Sequence, residues 1–70
     1  MTEKYGVFAA NMKRYMGTMR IKDLSELTGI CDTQIINYRM DRQLPNLYNA
    51  LRIAKALEIP LEYLTEGMII

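Results

Sequence analysis

Apolar residues recur at intervals of three and four along almost the whole chain, and no segment sustains an apolar-polar alternation. That pattern predicts helices and argues against a sheet. Tyr5, Phe8, Met12, Tyr15 and Met19 mark the buried stripe of a first helix, which stops near Gly17 and Thr18. Leu24 and Leu27 form a short second stripe, with Asp23 and Glu26 suited to the outer face. Gly29 then offers the left-handed conformation that helix ends favour. A third helix is expected from about Cys31-Asp32 to Met40, with Asp32 complementing the positive end of its dipole. The segment "MDRQLPN" reads as a polar loop, and Asn46 is a good N-cap for a fourth helix. The predicted stripe of that helix is Leu47, Ala50, Leu51, Ala54 and Leu57. Pro60 sets off a final short helix around Leu61 to Leu64, closed by Gly67 and followed by the apolar tail Met68-Ile69-Ile70.

The predicted fold class is therefore all-α: a compact five-helix unit whose short elements cross at steep angles, since they cannot form a long parallel bundle. No repeat, low-complexity segment or linker divides the chain, so residues 1–70 read as one domain. A chain of this length buries only about 60% of the surface that it exposes when unfolded.

The third helix carries the most information. Ile35 and Tyr38 can face the core together with Ile30. The opposite face then holds Asp32, Thr33, Ile36, Asn37 and Met40. A helix that only had to stay soluble would more often carry Lys and Glu there. Base edges match this set: Asn pairs with adenine, Asp accepts from the cytosine amino group, Thr bonds several edges, and Ile and Met touch thymine methyls. The structural alternative is that Ile36 and Met40 are half-buried and Asn37 is incidental.

Composition narrows the function classes. Half of the residues are hydrophobic and about a quarter charged, as in a folded globular chain. The apolar stretches are far shorter than the ~20 residues of a membrane helix, and no leader pattern is evident. A cytoplasmic, nucleoid-associated location is expected, and the single Cys31 agrees with it. There is no histidine, which removes His-based triads, proton shuttles and the commonest metal ligand. With no clustered carboxylates either, no enzyme, metal, cofactor or small-molecule ligand is expected. Net charge is only +1, but it is distributed in blocks: +4 over residues 1–22, −3 over 23–38, +3 over 39–55 and −3 over 56–70. Such alternation can set a basic face against an acidic one, or be plain solvated surface.

From Arg20 to Leu57 the chain resembles the lambda-repressor and Cro helix-turn-helix DNA-binding family. The residues that carry the resemblance are Leu24, Leu27, Gly29-Ile30, Ile35, Tyr38, Pro45 and the run "LRIAKALEIPLEYL". The resemblance implies a central helix-turn-helix over about residues 21–40, in a lambda-repressor-like DNA-binding domain. It implies base reading by Asp32, Thr33, Ile36 and Asn37. Phosphate contacts are expected from Arg20, Lys22, Gln34, Arg39, Arg42 and Gln43, which would position the protein without reading sequence.

Four positions depart from the family pattern. Ile21 stands where Gln is common, which leaves Arg20, Lys22 and backbone N–H groups to anchor that end. Leu24-Ser25 replaces a Leu-Ala pair, a harmless exchange on size alone. Arg39 stands where Glu usually pairs with an arginine of the first helix, here Arg14. Arg39 is expected to turn outward toward phosphate; in the other arrangement an acid such as Asp41 intervenes. Cys31 takes the place of a capping Ser or Thr, and Gln34 at N3 is expected to compensate in part. A redox role for Cys31 is weaker than simple structural tolerance, and packing accounts for most of the tyrosines.

The expected function is sequence-specific binding of a double-stranded DNA operator by a transcriptional regulator, a repressor of the small phage or prokaryotic type. A homodimer is expected at least on DNA, because one helix-turn-helix reads few base pairs. The tail Met68-Ile69-Ile70 is a candidate dimer contact or a frayed end. The alternative is a protein-interaction module on the same fold, anti-repressor or antitoxin-like, with weak or no DNA binding.

Overall fold

The helix signals in the sequence are realised in a computed structural model, which describes residues 6–67. Five helices follow one another: α1 Val7–Met16, α2 Ile21–Thr28, α3 Asp32–Arg39, α4 Leu47–Ala56 and α5 Leu61–Thr65. Among the described residues there is no strand, and no helix is long and apolar enough to cross a membrane. Tyr5 and the tail Met68-Ile69-Ile70 lie outside the described residues.

The first four helices each stop for a local reason. α1 ends at Gly17, with Lys13 and Arg14 in its last turn next to the negative end of the dipole. α2 ends at Gly29, which adopts φ 78°. α3 and α4 end without glycine. The N–H groups of Asp41 and Arg42 donate to the carbonyls of Tyr38 and Asn37, and those of Glu58 and Ile59 to Lys55 and Ala54. Both are Schellman stops, with Asp41 at φ 61° and Glu58 at φ 60° in the left-handed position that glycine usually takes. At the start of α4, Asn46 caps as expected, its side-chain oxygen accepting from the Asn49 N–H at 2.8 Å.

The core joins all five helices. Phe8, Met12 and Met16 come from α1, Leu24 from α2, Ile35 and Tyr38 from α3, Ala50, Ile53 and Ala54 from α4, and Leu64 from α5. Ile30, in the turn between α2 and α3, belongs to the same cluster. α3 packs between α1 and α2, while α5 closes the body against α1 and α4. The radius of gyration is 11.0 Å, matching the ~11 Å expected of a compact chain this long.

Three predicted stripes are corrected. On α1 the buried line runs Phe8, Met12, Met16 with Ala9 beside it. Tyr15 is half-buried, and Met19 packs against the core from beyond the helix end. On α2, Leu27 is 62% exposed and Thr28 is buried in its stead. Thr28 follows Leu24 by one turn, and its hydroxyl is satisfied internally by donating to the Leu24 carbonyl at 2.8 Å. On α4 the stripe is rotated: Ile53 is fully buried with Ala50 and Ala54, whereas Leu47 is 67% exposed and Leu51 lies largely outside. Leu57 packs against the core only in part.

The rotation of α4 has a direct mutational signature. Ile53→Ala should cost about 2–5 kcal/mol, the range for emptying a closed core site. Leu47→Ala and Leu51→Ala should each cost less than about 1 kcal/mol, as exposed substitutions do. Urea unfolding midpoints measure the difference, and equal losses at all three would restore the predicted stripe.

Candidate nucleic-acid interface

The connection between α2 and α3 is three residues long, Gly29-Ile30-Cys31, and each holds the turn in a different way. Gly29 takes the left-handed conformation, φ 78° and ψ 7°, and its N–H donates to the Ser25 carbonyl at 2.8 Å. A Cβ at this position would also lie 2.7 Å from Nη2 of Arg52, the far end of a flexible side chain that reaches the turn from α4. Ile30 is buried, which anchors the turn in the core. Its two backbone groups are both used: the carbonyl accepts from Ser25 Oγ at 2.6 Å, and the N–H donates to Thr28 Oγ1 at 3.1 Å. Alanine at position 25 would match the size of serine but could not make the first bond. Ser25 is thus a brace of the turn, more than a tolerated exchange.

Cys31 is the N-cap of α3 and makes no side-chain capping bond; its thiol is exposed. Gln34 does not compensate for it. Gln34 Oε1 accepts instead from the Tyr38 hydroxyl at 3.3 Å, and that hydroxyl accepts from Asn49 Nδ2 at 3.0 Å. A hydrogen-bonded line therefore runs from the capped start of α4 to the first turn of α3. It leaves the amide NH2 of Gln34 as the end available to an outside acceptor.

With Ile35 and Tyr38 buried, the helical period turns the opposite face of α3 outward. Asp32, Thr33, Ile36 and Met40 are exposed, and Asn37 is half-buried. Among the described residues the Asn37 side chain has no hydrogen-bond partner; its backbone carbonyl receives the Arg42 N–H at 2.9 Å. The predicted base-reading set therefore shares one surface.

Of the predicted phosphate-binding residues, Lys22, Arg42 and Gln43 are exposed. Arg20 is also exposed but engaged: its Nε lies 3.4 Å from Asp23 Oδ2, and its Nη2 lies 3.4 Å from Asp23 Oδ1. The Arg20 N–H reaches the same carboxylate at 3.4 Å. An exposed pair with such long contacts contributes little and can yield to a competing anion. Hydrogen bonding from the Arg20 side chain, then from its backbone, holds the Asp23 carboxyl below its ordinary value of 3.8.

Of the two arrangements expected for Arg39, the one in which Asp41 intervenes is not seen among the described residues. Arg39 is half-buried, and its Nε is enclosed with no hydrogen-bond partner among the described residues. Neither Arg14 nor Asp41 faces it as foreseen. The Arg14 guanidinium stacks 5.6 Å from the Tyr15 ring centroid, and the Asp41 carboxylate lies beside Gly6. Among the described residues, the cation that borders the same hollow as Arg39 is Lys13, which sequence reasoning passed over. Lys13, Ile21, Ile36, Arg39 and Met40 together line a hollow of about 210 Å³. Leu44, in the loop after α3, and Leu47, Tyr48 and Leu51, in the first turns of α4, are exposed apolar residues.

Two measurements probe the site as folded. Ser25→Ala leaves the Ile30 carbonyl without its partner and should destabilise by about 1–3 kcal/mol, read from thermal unfolding. No loss would mean that the turn does not depend on this bond. Asp23 has a depressed folded pKa, so its contribution is present above the unfolded value near 3.8 and disappears as pH falls through the folded one. The stability difference between the parent and Asp23→Asn should hold constant above pH 5 and narrow below about 3.8; a difference independent of pH would contradict the pairing.

Searches of protein-family models, curated proteins and solved structures returned no match to this chain.

Proposed function

We propose that the protein is a sequence-specific double-stranded DNA-binding regulator, a transcriptional repressor on a lambda-repressor-like helix-turn-helix domain. The observation that carries this reading is the outward face of α3. It groups Asp32, Thr33, Ile36, Asn37 and Met40 on one surface, without a lysine or glutamate, behind a turn fixed by Ser25, Thr28 and Gly29. An α-helix is about 10–12 Å across with its side chains, which suits a major groove about 12 Å wide.

In this reading α3 enters the groove with its first turn foremost. Asp32, Thr33, Ile36 and Asn37 meet base edges; Arg20 and Lys22 at the start of α2, and Arg42 and Gln43 after α3, meet phosphates on either side. Gln34 contributes its free amide end, and Arg39 its guanidinium. A phosphate displaces Asp23 from Arg20.

A second copy completes the operator contact. Half-sites on one face of the duplex are separated by about 34 Å, and two bodies measuring 34 × 23 × 22 Å can lie side by side at that spacing. The apolar face of Leu44, Leu47, Tyr48 and Leu51 supports self-association. It equally supports the second reading, a protein-interaction module that keeps the fold without DNA binding, as does the net charge of only +1.

Selection of duplexes from a random pool separates the two readings and tests the roles. Enrichment of a two-fold related site is expected. Asn37→Ala should then relax preference at one base position, costing about 1–3 kcal/mol there, while Arg42→Ala weakens all sequences alike. No enrichment favours the interaction module, and equal effects of both variants on every site would overturn the assigned roles.

A further inference from the structure

Leu51 follows Leu47 by four residues and Tyr48 by three, so these side chains make one ridge on the outer side of α4. They are 67% (Leu47), 66% (Tyr48) and 47% (Leu51) exposed. Lone apolar residues on a surface need no explanation, but a run of large ones on one helix face does. A hollow of about 180 Å³ opens beside the ridge, with Phe8, Leu44, Leu47, Leu61 and Thr65 among its lining residues. No charged side chain is among the described residues that line it. Leu47 belongs to both, so ridge and hollow are one continuous surface. A cavity of about 150 Å³ holds a benzene ring, so this hollow admits one large apolar side chain.

Two features match this surface to a second copy of the chain. A projection and a recess side by side are self-complementary about a two-fold axis, each ridge entering the other copy's hollow. The charges on the two flanks also match in this way. Lys55 continues the ridge one turn beyond Leu51, is exposed, and borders the α2 side of α4 together with Leu27, Arg52 and Glu58. Glu62 lies across the ridge on α5 and is exposed. With Leu64 buried and Leu61 and Thr65 at the hollow, the helical period puts Glu62 on the outer rim. A two-fold axis through the ridge brings the cationic flank of one copy against the acidic flank of the other. The Arg52 guanidinium, 5.1 Å from the Tyr48 ring centroid, holds that ring before any contact is made and lowers the entropy cost of making it.

We infer that this patch is the contact between two copies of the chain, with the Leu47–Tyr48–Leu51 ridge of each seated in the other's hollow and Lys55 of each facing Glu62 of the other. A few large side chains per copy fall short of the ~800 Å² a side of a standard interface, so the pair is weak in solution and strengthened where an operator holds both copies. The assignment gives the proposed reading its second-copy contact and rests on that reading for its role on DNA; the association itself needs no DNA.

Sedimentation equilibrium of the full chain without DNA, from micromolar to millimolar protein, tests the contact. The parent's apparent mass should rise toward twice that of the monomer. Leu51→Glu should remain monomeric throughout while unfolding cooperatively; Tyr48→Lys serves in its place if the first variant melts early. Lys55→Glu and Glu62→Lys should each weaken association about tenfold, since two like-charge contacts replace two opposite ones. An equimolar mixture of these two single variants should recover the parent's association, because each acid then meets a base across the axis. A parent that stays monomeric at every concentration would overturn the contact and leave the ridge to another protein or to residues 68–70 of the same chain. So would a Leu51→Glu variant that associates as the parent does, or a mixture no better than its components. Duplex binding by a monomeric parent removes the contact and leaves the DNA-binding reading; a dimer of the expected behaviour that binds no duplex keeps the contact and removes that reading.

Discussion

The buried turn at Ile30 is the constraint on which the rest of the surface depends. Ile30 is tied to α2 through both of its backbone groups, by Ser25 Oγ at 2.6 Å and by Thr28 Oγ1 at 3.1 Å. Its side chain is tied to the core. Gly29 makes the reversal without a steric penalty, in a conformation that L-residues with a Cβ rarely adopt. Once this corner is fixed, burial of Ile35 and Tyr38 leaves α3 no rotational freedom. The face that carries Asp32, Thr33, Ile36 and Asn37 is then the outer one. The line from Asn49 through the Tyr38 hydroxyl to Gln34 ties the same helix to α4. Pre-organisation of this kind matters because groups held in place lose less entropy when they meet a partner.

Which segments are helical is legible in the sequence, because three-four spacing, Gly29, Asn46 and Pro60 are local signals. Which residue of a stripe points inward is less so. Leu27, Leu47 and Leu51 are apolar and lie outside, while Thr28 lies inside because its hydroxyl finds the Leu24 carbonyl. Hydropathy counts apolar residues; it does not register an internally satisfied hydroxyl or a helix rotated by part of a turn. The Schellman stops at Asp41 and Glu58 are hidden for a similar reason, since neither carries the glycine that announces such a turn. The exposed set on α3 is legible because Ile30, Ile35 and Tyr38 form a strong local pattern. The surroundings of Arg39 are not, because they depend on how α1 packs across α3 and on which of Lys13 and Arg14 turns that way.

Net charge understates what this surface can do. The cations proposed to meet DNA come from the two basic blocks of the sequence, residues 1–22 and 39–55, and the start of α2 lies beside the last turn of α3, where Ile21, Ile36, Arg39 and Met40 line one hollow. The acidic tail block supplies Glu58, just after α4 and beside Arg52 and Lys55, and Glu62 on α5, which packs against α1 and α4. A chain of charge +1 can in this way present a locally basic surface, and local potential, more than the total, governs encounter with a polyanion.

The central claim is that this surface binds duplex DNA through phosphates, and the salt dependence of binding tests it most directly. Arg20, Lys22, Arg39 and Arg42 amount to about four proposed phosphate contacts per protomer, so log K should fall against log salt with a slope of about −7 for a dimer. A slope near zero, or no duplex binding at low salt, would contradict the account.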